Sequence, residues 1–466
     1  MKKDKRWFLF LIVCSAIFLS VIDLFIVNVA LPSIKNGIKG TDADMQLVIV
    51  MYIVGYASFL ITGGRAGAYF GKKKVFLTGM FIFTIASCIC GLSQSATQLN
   101  IARFIQGISA AFMVPQGVAF IPDLFPDSRE RVKVLGVYGS IAGIASVVGQ
   151  FLGGFIPDMT IISESWRLIF LINIPVGLVA MVLGLKYLKE FAPNTTEKFD
   201  YKGGLLLMLT LTAFIYPLIR GREMGWPVWS IELLVLSFIL LLIFIFHQKN
   251  SLKQGLRPLI DIAIFKNFDF RIGLLVSLFY YLVQDSYFLI NTVMLQNGLG
   301  FSSAHTGVYF VCQGIGYVLA SVFFTSKVSS YGKYVSLTGA IIMISTLLLH
   351  LLVIGKETQS LCIAAVLFVY GVGCGTILPS LMTISLKSIP EDMLGSSSGI
   401  YLTLQQISVA IGVALVGGVF FQQLGNPPAL KSFSGAYQWG TLLNVGFLAV
   451  VAVLLLLMPK TDKRVD

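Results

Sequence analysis

Charge is what this chain has least of. Only 12% of its 466 residues are Asp, Glu, Lys or Arg, about half the share of an ordinary soluble domain. So few charges cannot wet the surface of a globule this long, and 56% of the residues are hydrophobic, with a mean hydropathy of +0.85. The solvent of such a body is mostly lipid. Histidine is scarce as well, at three residues, and no His-Glu-x-x-His pair is present. There is no Gly-x-x-x-x-Gly-Lys phosphate loop, so ATP is not expected as the energy source. The six cysteines all lie in or beside apolar runs, in neither a disulfide nor a metal pattern. Thr41-Asp-Ala-Asp44 is a short acidic loop without calcium-loop spacing. No enzyme activity, metal or cofactor is expected.

What is present is a series of apolar runs. They fall at about 8–31, 45–68, 75–93, 98–121, 134–156, 168–186, 203–220, 229–247, 271–293, 305–326, 334–354, 360–383, 398–421 and 436–458. Each approaches the ~20 residues a helix needs to cross a bilayer, so the chain reads as an all-α protein with fourteen spans. The first run continues past a signal-peptide core and no small-residue cleavage pattern follows it, so it is read as a span. The net charge of +12 does not point to nucleic acid. With a cytoplasmic N-terminus, 26 of the 34 basic residues fall in inside segments and seven in outside ones, Arg103 lying within a span. That bias predicts two cytoplasmic termini.

Residues 136–154, GVYGSIAGIASVVGQFLGG, resemble 399–418, GIYLTLQQISVAIGVALVGG, at a shift of 263. Gly136, Tyr138, Ile144 and Gly149 fall on Gly399, Tyr401, Ile407 and Gly412. A weaker echo pairs 68–75 with 329–335. The organisation predicted is a six-helix bundle over 1–190, two inserted spans with cytoplasmic linkers over 191–260, and a second six-helix bundle over 261–466. Parallel halves of this kind suit a transporter with its site between them near the midplane.

Four stretches then look familiar in order. IDLFIVNVALP (22–32), GGRAGAYFGKKK (63–74), LNIARFIQGISAA (99–111) and SWRLIFLINIPVG (165–177) resemble successive signatures of the fourteen-span drug/proton antiporters, a branch of the major facilitator superfamily. The resemblance covers essentially the whole chain. It implies that superfamily's fold and proton-driven export, with the proton gradient in place of a cofactor. It also implies a gating and packing role for Gly64, Gly71, Lys72, Lys73, Gly149, Gln150, Gly153 and Gly154. Two positions depart from the pattern. An acid that usually anchors a charge relay three residues before Gly71 is here Ala68. The usual Gly-Pro of the fifth span is Gly149-Gln150.

Candidate functional residues are those whose polarity is costly in lipid. Asp23 lies in the first span, where a carboxylate must be paired, hydrated or protonated. Such a group can hold a proton and release it when water arrives, although it can equally be locked to a partner for folding. Arg103, in the fourth span at a similar depth, either meets Asp23 or snorkels to the interface. Gln106 shares its helix face. In the resembled family the arginine tunes protonation. Asp285, with Tyr281 one turn back and Asn291 beyond, is a second carboxylate that would suit a cationic cargo, unless it sits in water at the mouth of its span. Gln313, Gln405 and Gln406 read as helix–helix contacts, and His247, His305 and His350 as interfacial. Lys198, Asp200, Lys202 and the segment 258–271 read as amphipathic linkers on the membrane surface.

The expected partners are a small amphipathic molecule, protons and the bilayer, with no nucleic acid, and the chain is expected to be a monomer in the cytoplasmic membrane of a bacterium. The expected function is proton-coupled export of amphipathic, often cationic, drugs or dyes by alternating access. Export of one endogenous metabolite is the alternative of the same class, and a non-transporting membrane sensor or scaffold that of another.

Overall fold

The computed structural model describes residues 3–190, 200–254, 258–260, 262–325, 327, 331–354, 360–389, 394–425 and 430–458. Lys198 and, within the 258–271 segment, Asp261 lie outside them. So do Lys2, Arg257, Lys356, Lys460, Lys463 and Arg464 of the loop-charge pattern.

Among the described residues, fourteen helices are long and apolar enough to cross a membrane. They are α1 (Lys5–Gly37), α2 (Asp42–Phe70), α3 (Lys72–Leu92), α4 (Ala96–Leu124), α5 (Lys133–Phe155), α6 (Ser165–Tyr187), α7 (Tyr201–Glu223), α8 (Val228–Lys253), α9 (Phe268–Gly298), α10 (Ser303–Phe324), α11 (Lys333–Val353), α12 (Ser360–Leu386), α13 (Ser397–Leu424) and α14 (Ser432–Leu457). The expected spans match these in number and nearly in register. The chain forms two compact units, Met1–Asp261 and Ile262–Asp466.

In the first unit, glycines let backbones touch where lipid offers no hydrophobic drive for helix pairing. A Cβ on Gly149 would lie 2.8 Å from the Ile22 carbonyl oxygen, and one on Gly153 2.3 Å from that of Ile26. These contacts press α5 onto α1. In the second unit, a Cβ on Gly412 would lie 2.0 Å from the Leu282 carbonyl oxygen, pressing α13 onto α9. Gly149 and Gly412 are thus matched in sequence and in packing role. The α2–α3 connection is the single residue Gly71, at φ +91°, a left-handed conformation that favours glycine.

Helices α7 and α8 pack within the first unit. Asp44 of the TDAD stretch is buried and reciprocally capped with Thr41, receiving the Thr41 N–H at 2.9 Å. It also takes Nη2 of Arg220, near the end of α7. Arg220 reaches Thr41 Oγ1 at 3.2 Å and Glu223 at 2.8 Å. At the start of α7, Gly204 sits against Thr62 and Phe59 of α2.

Asp200 caps the start of α7. It was expected on a membrane-surface linker and is instead drawn into the fold, because three donors converge on it. It accepts from the Gly203 N–H at 2.9 Å and Gln248 Nε2 at 3.3 Å, and pairs with His247 Nε2 at 2.9 Å. Gln248 Oε1 in turn accepts the Ile260 N–H at 3.1 Å. Burial works against the charge of Asp200, but His247, the Gly203 amide and Gln248 outweigh it and hold the carboxyl below its ordinary range.

Two outcomes are expected from thermal unfolding of purified protein. Asp44→Ala removes a cap and one of the two carboxylates on Arg220, leaving Glu223, and costs about 2 kcal/mol, whereas Lys35→Met, which breaks the more exposed pair with Asp42, costs under ~1 kcal/mol. A depressed carboxyl stabilises the fold above its unfolded value, near 3.8, and that contribution is lost as pH falls through the folded value. The deficit of Asp200→Asn should therefore be full at neutral pH and shrink below about pH 4.

Candidate functional site

The structure brings Asp23, Arg103 and Gln106 together inside the first unit. Asp23 and Arg103 are both fully buried and paired through Oδ2 and Nη1. Arg103 therefore does not snorkel. Its Nη1 also donates to Gln106 Oε1 at 2.7 Å, and its Nε to the Val48 carbonyl of α2 at 3.0 Å. Its guanidinium carbon lies 4.4 Å from the centre of the Tyr52 ring, a cation–π contact that replaces part of the lost hydration. Tyr52 is held by Ser20 at 2.7 Å.

The second carboxylate oxygen is saturated too. Gln106 Nε2 donates to Asp23 Oδ1 at 2.9 Å, and Asn173 Nδ2 of α6 donates to the same oxygen at 3.0 Å. Asn173 also donates to Ser87 Oγ of α3 at 3.0 Å, and Ser87 donates onward to the Phe170 carbonyl at 2.8 Å. One carboxylate thus joins α1, α4, α6 and, through Asn173, α3. A buried charge is tolerable only when paired and hydrogen-bonded in this way. Asn173 and Ser87 escaped sequence reasoning. Asn173 stands inside the SWRLIFLINIPVG signature, which was the one available signal.

Asp285 lies in the second unit. It is buried on α9, not in mouth water, and neither carboxylate oxygen has a partner among the described residues. One turn back, the Tyr281 hydroxyl meets that of Tyr401 at 3.3 Å. Asn291 Oδ1 accepts from the Tyr437 hydroxyl at 2.8 Å. His350, expected at an interface, is instead fully buried. Tyr287 lies 3.1 Å from its Nε2 and the Thr346 carbonyl 2.7 Å from its Nδ1, which satisfies both ring nitrogens and makes the interior tolerable. Gln313 is buried on α10 with its carbonyl oxygen unpartnered among the described residues.

The gating candidates divide. Lys72 Nζ reaches Asp123 at 2.6 Å and the Ala119 carbonyl at 2.8 Å. Lys73 Nζ reaches the Leu185 carbonyl at 2.9 Å. The backbone amides of Lys73 and Lys74 donate to the Glu190 carboxylate at 3.2 and 3.1 Å. Glu190, which the sequence did not single out, sets a negative charge on the α3 N-terminus near the motif that lacks its acid at Ala68. Gly71 adjoins this carboxylate, and Gly64 has open space apart from Pro115. Gly149, Gly153, Gly154 and Gln150 are buried in α5, with Gln150 Oε1 unpartnered among the described residues.

Arg103→Met leaves Asp23 buried beside two neutral donors only. It should cost about 3 kcal/mol or more, while the double variant Asp23→Asn with Arg103→Met should recover most of that loss. Thermal midpoints of the two purified variants against the parent measure it.

The Major Facilitator Superfamily model matches residues 13–412 and 273–466. A Streptomyces coelicolor protein named as a probable actinorhodin transporter is 30% identical over 439 residues, covering 93% of this chain and 75% of that protein. Multidrug resistance protein Stp of Mycobacterium tuberculosis is 27% identical over 404 residues, 86% and 74% of the two chains. The fold is shared with a solved bacterial homologue of the lysosomal transporter Spinster, at a TM-score of 0.70 and 15% identity, covering 98% and 97%. A non-transporting sensor or scaffold has no support in these likenesses. The chain belongs to the Major Facilitator Superfamily, and is a multi-pass membrane protein and secondary transporter of small molecules.

Proposed function

We propose that the protein exports amphipathic, often cationic, drugs or dyes across the cytoplasmic membrane of a bacterium, driven by protons entering through an alternating-access cycle. One observation carries the reading: a carboxylate, Asp23, fully buried in a span and held by three donors of which one is a buried arginine. Arg103 keeps the ionised form tolerable in the dry interior. When water from the outer side reaches the pair, a proton can be taken up at Asp23, and Arg103 and Gln106 then lose their strongest acceptor. Loss of that proton toward the cytoplasm restores the network. The loop charges favour two cytoplasmic termini, and the three segments 1–190, 191–260 and 261–466 stand as two bundles with an insertion.

Asp285 supplements Asp23 in this reading. A buried carboxylate with no donor aimed at it takes up a proton or a cationic cargo. The tyrosines beside it on α9 offer ring faces to an organic cation. The name of the Mycobacterium relative supports breadth of substrate. The name of the Streptomyces relative, together with Gln150 in place of the usual proline, favours a second reading: export of one endogenous metabolite.

The test is drug-driven proton release from purified protein. Asp23→Asn should abolish release, and Asp285→Asn should weaken binding of a cationic dye by about tenfold. Release and binding equal to the parent in both variants would remove the site assignment. Response to a single compound among chemically unrelated dyes would select the metabolite reading.

A further inference from the structure

Asn173 occupies a singular place in α6. The backbone of α6 stays helical through Ile172, at φ −61° and ψ −24°, but Pro175 has no N–H to give the Leu171 carbonyl and its ring crowds the preceding turn. Between these two residues, the two N–H groups of the Asn173 amide have separate acceptors: Asp23 Oδ1 on α1 and Ser87 Oγ on α3, each at 3.0 Å. The direction of the amide is dictated. The Ser87 hydroxyl spends its proton on the Phe170 carbonyl at 2.8 Å, so its oxygen can only accept from Asn173. The Asp23 carboxylate likewise needs a donor. Asn173 is buried, and no water is required to complete this chain of bonds.

We propose that Asn173 is the positioning residue through which the protonation state of Asp23 reaches α3 and α6. The inference rests on the reading of Asp23 as the proton carrier. Ionised Asp23 draws in three donors, and of the two neutral ones only Asn173 comes from a helix other than α4. A proton on the carboxyl weakens Oδ1 as an acceptor, and on Oδ1 itself it sets O–H against N–H. Arg103 stays charged and keeps its bonds to Val48 and Gln106, and Gln106 remains tied to Arg103. Asn173 has no such second anchor to α4. It is therefore the contact that yields, and it yields where Pro175 leaves α6 one helical hydrogen bond short. The ionised state clamps α6 and α3 to α1, and the protonated state releases them.

Among the described residues, the ionisable side chains around Asp23 are Arg103 of α4, Tyr52 of α2, whose ring lies under Arg103, and Cys90 of α3, whose thiol points at Gln106 at 3.7 Å. Residues 140–155 of α5 and 173–185 of α6 contain no ionisable side chain.

Removing a donor from a carboxylate favours its protonated form. Drug-driven proton release from the full-length purified protein, followed across pH, reads this out. Asp23→Asn should be silent. Asn173→Ala should still release protons, with the half-maximal pH raised by about one unit. Ser87→Ala, which leaves Asp23 untouched and only loosens the amide, should move it in the same direction by less. A contact that merely braced the fold would lower the amplitude and leave the half-maximal pH in place. Asp23→Asn silent, with both other curves superposed on the parent, overturns the role of Asn173 while the carrier reading stands. Asp23→Asn releasing like the parent overturns the carrier reading itself. If Asn173→Ala does not fold, the Ser87→Ala curve decides alone: a raised half-maximal pH supports the inference, and superposition on the parent rejects it.

Discussion

The pairing of one acid with one arginine in a dry interior constrains much of the first unit. Neither Asp23 nor Arg103 has any exposed surface, and removing such charges from water costs several kcal/mol for each ion before compensation. Compensation comes from several sides, with only Arg103 Nη2 of the pair left unpartnered among the described residues. The arginine takes a backbone carbonyl, an amide oxygen and an aromatic face, and the acid takes two amide donors besides the arginine. Meeting those needs requires four helices to present polar groups at one level. The glycines of α5 bring α1 into direct backbone contact close by. The polar network and the tight glycine packing are two parts of one solution to holding charge in lipid.

The second unit solves the corresponding problem differently. At the shift of 263 residues, Asp23 falls on Ser286 and Ser87 falls on His350. Ser286 bonds Asn444 of α14 at 3.1 Å, so the bridge between the first and last helices of the bundle persists with neutral partners. His350 pairs with Tyr287, whose ring stacks on Tyr370 at 3.9 Å. The acid of this half, Asp285, stands one residue aside from the matched position and has no partner among the described residues. The two units share this packing and divide the chemistry, with a partnered carboxyl in one and a carboxyl unpartnered among the described residues in the other.

Much of this was legible in the sequence because lipid makes polarity conspicuous. The spans follow from length and hydropathy alone, and Asp23, Arg103 and Asp285 stood out as charges inside apolar runs. Partners were harder to read. Asn173 and Ser87 are neutral and common in membrane helices, so composition gives no hint of what they face. His350 looked interfacial because it lies three residues from the end of its helix, and the partners that make its burial tolerable are Tyr287 and the Thr346 carbonyl. Asp44 and Arg220 are 176 residues apart, and a salt bridge at that separation leaves no local pattern. Glu190 follows the last turn of α6, where an acid usually means no more than a wetted loop.

Gly71 joins α2 to α3 with one residue and no slack. Consecutive Cα atoms are about 3.8 Å apart, so neither helix can slide along its axis by much more than that without hauling the other after it. The hairpin is a crank with a fixed elbow, whose two arms share a single degree of freedom. The Glu190 carboxylate braced against that elbow ties the same lever to the chain emerging from the sixth span, so a displacement begun at either place is felt at both.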